Sequence, residues 1–180
     1  MNERVEEKLS GRLRINDISA LCAECKDNDS AKGALFSMIN NPDDRISYNA
    51  LWVFTHFSDR DIRWLSARRD NLINSLLETT HVGKKRLLLT LLERLPDNSG
   101  EFRTDYLDFC LSKINSNEPY AIRALSLKQA YSLCRHYPEL TAELVTEISL
   151  MDQGELSPGL LSARRNVLKK IARTASTGKG

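Results

Sequence analysis

Apolar residues recur at helical spacing along almost the whole chain, and this pattern limits the possible folds more than any other feature. Leu72, Ile73, Leu76 and Leu77 are one example, since residues three and four apart lie on the same face of an α-helix. No comparable run alternates apolar and polar residues with the period of two that is typical of a half-buried strand. The sequence therefore predicts an all-α fold.

Turn-forming residues divide this pattern into nine short helices. Examples of such breaks are Asn41-Pro42-Asp43 and Tyr137-Pro138, because proline and glycine interrupt helices and favour turns. The predicted helices span 4–25, 30–40, 44–57, 61–79, 83–95, 103–116, 119–136, 139–151 and 158–173.

The helices also repeat in pairs. Three segments with the same apolar pattern, 50–54, 91–95 and 133–137, superimpose with shifts of 41 and 42 residues. A period near 40 with two helices per unit is typical of HEAT and armadillo arrays, whose units bury their apolar faces against their neighbours. We therefore predict an α-α superhelix of four to five helical hairpins, with a single domain over 1–174 and a flexible tail over 175–180. An ordinary helical bundle with helices of similar length is the alternative.

Several segments of the chain resemble a family of short bacterial HEAT-like proteins of unknown function, and the likeness covers about residues 45–172. The segments that carry it are Ser47–Val53, Lys85–Leu92, Tyr120–Leu127 and Tyr137–Leu140. The resemblance implies a HEAT-like fold. Some members of that family are labelled adenylosuccinate lyase, but this chain lacks the glycine- and serine-rich loop followed by Met, Pro, Lys and Asn that marks the lyase superfamily. The sequence therefore does not predict lyase activity.

No group of residues has the spacing of a metal or catalytic site. Cys22-Ala23-Glu24-Cys25 is the only CxxC motif, and a structural zinc site would need a second pair of ligands at a suitable spacing. His56, His81 and His136 fall in different predicted units. Cys134 and His136 are two residues apart on a helix, so their side chains point to different sides. We predict a non-catalytic protein without metal or cofactor.

The chain begins without the apolar core of a signal peptide, and no stretch approaches the roughly 20 apolar residues of a membrane span. We expect a cytoplasmic protein that does not interact with membranes. All four cysteines would then be reduced, and we expect them to pack as small hydrophobic residues.

Charge separates between the two helices of each pair, although the net charge of the chain is +2. Three first helices together carry 12 basic residues and one acidic residue, whereas three second helices carry 4 basic and 7 acidic residues. The first helices compared are 83–95, 119–136 and 158–173, and the second helices are 66–79, 103–116 and 139–151. In HEAT solenoids the second helices line the concave, partner-binding surface. This surface is therefore predicted to be mildly acidic.

We accordingly predict a scaffold whose concave face binds a protein or peptide, preferably a basic one. The predicted contact residues are Trp64, Asp105, Asp108, Glu143 and Glu147. Trp64 is included because tryptophan flanked by arginine is typical of interface anchors, although packing at the start of a helix also explains it.

A nucleic-acid-binding protein, or a DNA alkylation-repair glycosylase of HEAT fold, is the alternative function. A duplex needs a basic cradle, and the acidic second helices do not supply one. The basic first helices have a structural explanation, in which Arg45, Arg86 and Arg123 pair with acidic residues of the adjacent unit.

Overall fold

Ten α-helices and two 3-10 helices form the regular structure of the described residues, among which no strand occurs. The structure is a computed structural model and describes residues 2–96, 102–152, 154 and 156–177. The prediction of an all-α fold is confirmed. The chain divides into two compact units, Met1–Pro96 and Asp97–Gly180, each described below by itself.

The first unit contains six of the α-helices. They are α1 (Asn2–Ser10), α2 (Ile15–Cys25), α3 (Asp29–Ser37), α4 (Asp44–Thr55), α5 (Arg69–Glu78) and α6 (Val82–Arg94). The 3-10 helices span Met38–Asn40 and Ile62–Arg68. Helix α4 lies at the centre, in contact with α1, α2 and α6, and α5 packs against α6. Its apolar residues Leu51, Val53 and Phe54 are almost completely buried.

The second unit contains the other four α-helices. They are α7 (Thr104–Ile114), α8 (Tyr120–Cys134), α9 (Pro138–Ser149) and α10 (Pro158–Thr177). Helix α8 contacts α7, α9 and α10, and α7 also contacts α9. The core includes Tyr106 and Leu127, both fully buried, and the Tyr106 hydroxyl donates a hydrogen bond to Oε1 of Gln129 at 3.0 Å.

The first helices of the repeats start at a constant interval. Helices α4, α6, α8 and α10 begin at Asp44, Val82, Tyr120 and Pro158, which are 38 residues apart. The predicted shifts of 41 and 42 residues are therefore too long. The excess of three and four residues is about one helical turn. Residues three and four apart share a face of a helix, so the apolar pattern also matches when it is superimposed one turn out of register.

The predicted helix over 4–25 is wrong, because the chain breaks between α1 and α2. The amide Nδ2 of Asn49 donates to the carbonyl oxygens of Leu9 at 2.8 Å and of Gly11 at 3.0 Å. The carboxylate of Asp17 accepts from the backbone N–H of Arg14 at 2.7 Å, at the start of α2. Polar partners thus satisfy backbone groups that a continuous helix would pair internally.

Two other predicted boundaries also differ from the structure. The predicted helix over 61–79 begins as a 3-10 helix, in which Ile62 and Leu65 are both buried, because residues three apart share a face at three residues per turn. Helix α10 ends at Thr177 rather than at residue 173. Residues 175–177 of the predicted flexible tail are therefore helical, and 178–180 lie outside the described residues.

Candidate partner-binding surfaces

Helices α7 and α9 of the second unit pack on each other and carry five acidic residues and one lysine. We call this pair of helices the acidic layer. Four of the five predicted contact residues lie on it, namely Asp105, Asp108, Glu143 and Glu147. The structure thus places these four on neighbouring helices of one unit, while their role in binding a partner stays a prediction.

Two of these carboxylates already have partners within the unit. Arg103 donates to Asp105 from Nε at 2.8 Å and from Nη2 at 2.6 Å, and these hydrogen bonds hold the pKa of Asp105 below its ordinary value. Nδ2 of Asn115 donates to both the backbone carbonyl and the carboxylate of Glu147, each at 2.9 Å. Asp105 and Glu147 therefore also stabilise helix ends.

Asp108 and Glu143 are exposed and form no hydrogen bond or ion pair within the described part of the chain. Carboxylates in this state keep their hydration and their negative charge available to a cation from outside. Of the predicted residues on the acidic layer, these two are best suited to meet a partner.

Exposed apolar side chains accompany the carboxylates of α9. Val145 is 38% exposed, and Leu150, directly after the helix, is 66% exposed. Neither residue was predicted as a contact from the sequence, because the apolar periodicity of this helix runs through Leu144, Ile148 and Met151, which are buried. Their exposure could have been predicted from the sequence, because Val145 and Leu150 fall outside that periodicity.

Trp64 lies in the first unit, in the 3-10 helix Ile62–Arg68, and is half-buried. The guanidinium carbon of Arg68 lies 3.4 Å from the centroid of its ring. Phe36 contacts the same ring edge-on, with 6.0 Å between the centroids. Packing therefore occupies part of the indole, and a contact with a partner would use the remaining exposed edge.

Helices α8 and α10 pack on each other and carry seven basic residues and no acidic residue. We call this pair of helices the basic layer. The side chain of Arg123 donates from Nε to the carbonyl oxygen of Ile114 at 2.9 Å, so that it binds the last turn of α7. Arg123 forms no ion pair with any described acidic residue, so its predicted pairing with an acidic residue of the adjacent repeat is wrong.

In the first unit, an ion pair between neighbouring first helices does occur, but it involves a different residue from those predicted. Lys84 on α6 lies 3.1 Å from the carboxylate of Asp44 on α4, and this hydrogen bond lowers the pKa of Asp44. Arg45 and Arg86 form no ion pair among the described residues.

The cysteine side chains are arranged for packing. Burial raises the pKa of Cys25 and of Cys134 to about 11, and the thiol of Cys22 points to the carbonyl oxygen of Val53 at 3.7 Å. A thiol with a raised pKa is a poor nucleophile at neutral pH. Within the described residues, no three His, Cys, Asp or Glu side chains come together in a way that could hold a metal ion.

Comparison with known proteins gives one match. A family model described as HEAT repeat domain matches residues 5–171, which extends the likeness well before residue 45, where the sequence analysis began it. Neither the curated proteins nor the solved structures contain a significant match. Among the described residues, no helix combines the length and apolar character needed to cross a membrane.

Proposed function

Because the chain belongs to the HEAT repeat domain family, we propose that it is a non-catalytic scaffold whose acidic layer binds a basic segment of a partner protein. HEAT repeats present extended surfaces that bind other proteins. The main evidence for the proposal is that α7 and α9, two neighbouring helices of the second unit, carry exposed carboxylates without a described partner, Asp108 and Glu143, near an exposed apolar residue, Leu150. The predicted cytoplasmic location and the concave shape of the binding surface stay predictions.

The chemistry of the acidic layer favours a segment that is both basic and apolar. Asp108 and Glu143 would attract lysine or arginine. Leu150 follows Glu143 by seven residues, lies on the same side of α9, and would lose water against an apolar side chain. Burial of apolar area supplies most of the affinity in such contacts, at roughly 25 cal/mol per Å², while surface charges contribute mainly to specificity and association rate. An amphipathic helix with a basic edge combines both features.

The disposition of the thiols supports the non-catalytic part of the proposal. Cys134 is fully buried and His136 accepts a hydrogen bond from Nε of Arg135 at 3.0 Å. A nucleophile and its base must lie within hydrogen-bonding reach of each other and of a substrate, and a completely buried thiol does not meet a substrate.

The proposal is tested by titrating the protein into a fluorescently labelled amphipathic peptide of about 16 residues with leucine on one face and lysine on the other. We expect the double variant Asp108→Asn/Glu143→Gln to bind it about 3- to 10-fold more weakly, because exposed ion pairs contribute about 0.2–1 kcal/mol each. We also expect wild-type affinity to fall as salt is raised.

The matched control is Glu7→Gln/Glu78→Gln, which removes the same charge from two exposed positions of the first unit. Its affinity for the peptide should equal that of the wild type. If both double variants weaken binding equally, the peptide responds to net charge alone, and the acidic layer is not the binding surface. Leu150→Ser tests the apolar part of the contact in the same assay, and Val145→Ser, which lies on a different side of α9 from Glu143, is its control.

A further inference from the structure

Helix α10 presents a row of basic side chains to solvent. Arg165, Lys169, Lys170 and Arg173 are all exposed, and they recur at spacings that keep them on one side of the helix. Eight residues separate the first from the last, which corresponds to roughly 12 Å along a helix axis. The row is therefore a patch of positive charge along one side of a regular helix.

The charges of Arg165, Lys169 and Lys170 are not neutralised by any described residue of α8 or α10. Neither α10 nor α8 contains an acidic residue, and Arg165 and Lys169 form no ion pair with any described carboxylate. Nζ of Lys170 lies 5.6 Å from the ring centroid of Tyr131 on α8, a contact that orients the lysine without cancelling its charge. Like charges four residues apart destabilise a helix by a few tenths of a kcal/mol per pair, so this arrangement is unfavourable in isolation.

We propose that the exposed basic row of α10 binds the phosphodiester backbone of duplex nucleic acid. A duplex is a rigid polyanion with one negative charge per about 1.7 Å of its axis, and lysine and arginine bind it by releasing condensed counterions. The neighbouring exposed side chains, Asn166 and Thr174, are of the polar type that also contacts phosphates. This surface lies on the basic layer and does not depend on the proposed function of the acidic layer.

Other anionic partners fit this row less well. Single strands are bound by exposed aromatic platforms between the basic residues, whereas α10 contains no aromatic residue and Tyr131 of α8, beside Lys170, is half-buried. An anionic membrane surface favours helices with exposed large apolar residues beside the charges. From Arg165 to Thr174 the exposed side chains are polar or small, and the nearest exposed large apolar residue is Leu161, before the row begins.

The test is fluorescence anisotropy with a labelled DNA duplex of about 20 base pairs at several salt concentrations. The variant Arg165→Gln/Lys169→Gln/Lys170→Gln keeps good helix formers at exposed positions. We expect it to bind at least about tenfold more weakly than the wild type at low salt. The slope of log K against log salt should become less negative by about 2 to 3, since each lost phosphate contact contributes about 0.9.

The control variant Arg12→Gln/Lys26→Gln/Arg45→Gln removes three exposed charges from the first unit and should bind the duplex like the wild type. Circular dichroism of both variants verifies that they are folded. Equal weakening in the two triple variants would overturn the proposal, as would tighter binding to a single strand of the same length or to phosphatidylserine vesicles than to the duplex.

Discussion

The amide of Asn49 shows how one buried side chain determines where a helix ends. It lies on α4 but donates to the carbonyl oxygens of Leu9 and Gly11, at and after the end of α1. Asn49 is 6% exposed and Leu9 is fully buried, so the hydrogen bond between them forms away from water, where an unpaired carbonyl group costs about 1–3 kcal/mol. The break between α1 and α2 therefore depends on a residue some 40 positions away.

We expect Asn49→Ala to lower the free energy of unfolding by about 1–3 kcal/mol, because it leaves the buried carbonyl group of Leu9 without its donor, whereas the carbonyl group of exposed Gly11 can bind water. Urea denaturation followed by circular dichroism measures the change. Asn71→Ala, at an exposed position of α5, is the control and should be nearly neutral. If both variants show the same stability, the hydrogen bonds of Asn49 do not hold the end of α1.

At the scale of the elements, local patterns predicted the helices well and their ends poorly. Helix type follows from apolar spacing, which each segment carries in its own residues, as in Leu88, Leu91 and Leu92 of α6. Helix ends depend on distant partners, such as Asn49 for α1. The 38-residue interval between the repeats was also difficult to recognise from the sequence. Different residue types, Asp43 and His81, cap the first turns of α4 and α6, although the side chains of both accept backbone hydrogen bonds there.

The candidate site was predictable to a similar extent. The predicted helix bounds and their pairing placed most acidic residues on the second helices. They also placed Asp108 and Glu143 on two different second helices, which the structure shows to be neighbours. Sequence could not show that Arg103 engages Asp105 or that Asn115 engages Glu147, because these contacts depend on side-chain geometry. It also could not separate exposed Val145 from the buried apolar residues of α9.

The nearly buried side chain of Lys32 on α3 forms an ion pair with Asp61, which directly precedes the 3-10 helix Ile62–Arg68. Nζ of Lys32 lies 3.5 Å from the carboxylate of Asp61 and 3.8 Å from that of Asp29. The side chains of Lys32 and Asp61 are 7% and 16% exposed, whereas that of Asp29 is 80% exposed. Lys32 therefore depends mainly on Asp61, since a nearly buried ammonium group needs a partner that is itself shielded from water.

We expect Asp61→Asn to lower the free energy of unfolding at pH 7 by about 1–3 kcal/mol, less than for a completely buried pair because Asp61 is partly hydrated. Asp29→Asn should change it by about 0.5 kcal/mol or less, since its carboxylate is exposed. Urea denaturation of both variants measures the difference. A loss of the same size in both would mean that the two carboxylates share the lysine equally.

The same ion pair predicts a pH dependence. The hydroxyl of Ser58 donates to Asp61 at 2.7 Å and, together with Lys32, holds the pKa of Asp61 below its ordinary value. A lowered pKa in the folded state means that the carboxylate stabilises the fold above its ordinary pKa of about 3.9, and that this contribution is lost as pH falls below it. Between pH 5 and 3 the stability of Asp61→Asn should consequently fall less steeply than that of the wild type.

For the whole molecule, the repeat architecture predicts that a single buried position can determine the stability of the chain. Leu91 on α6 is fully buried in the first unit, whereas Leu133 on α8 is half-buried in the second. An aspartate at position 91 would bury a carboxylate without a partner, at a cost of several kcal/mol. An aspartate at position 133 can keep part of its hydration and should be tolerated better.

We expect Leu91→Asp to unfold the first unit and to remove its share of the helical circular dichroism signal, because the helices of a HEAT array stabilise one another through nearest-neighbour packing. Leu133→Asp should remain folded at room temperature with a lowered melting temperature. A Leu91→Asp variant that keeps the full helical signal and the melting temperature of the wild type would show that position 91 is not part of the core on which the first unit depends.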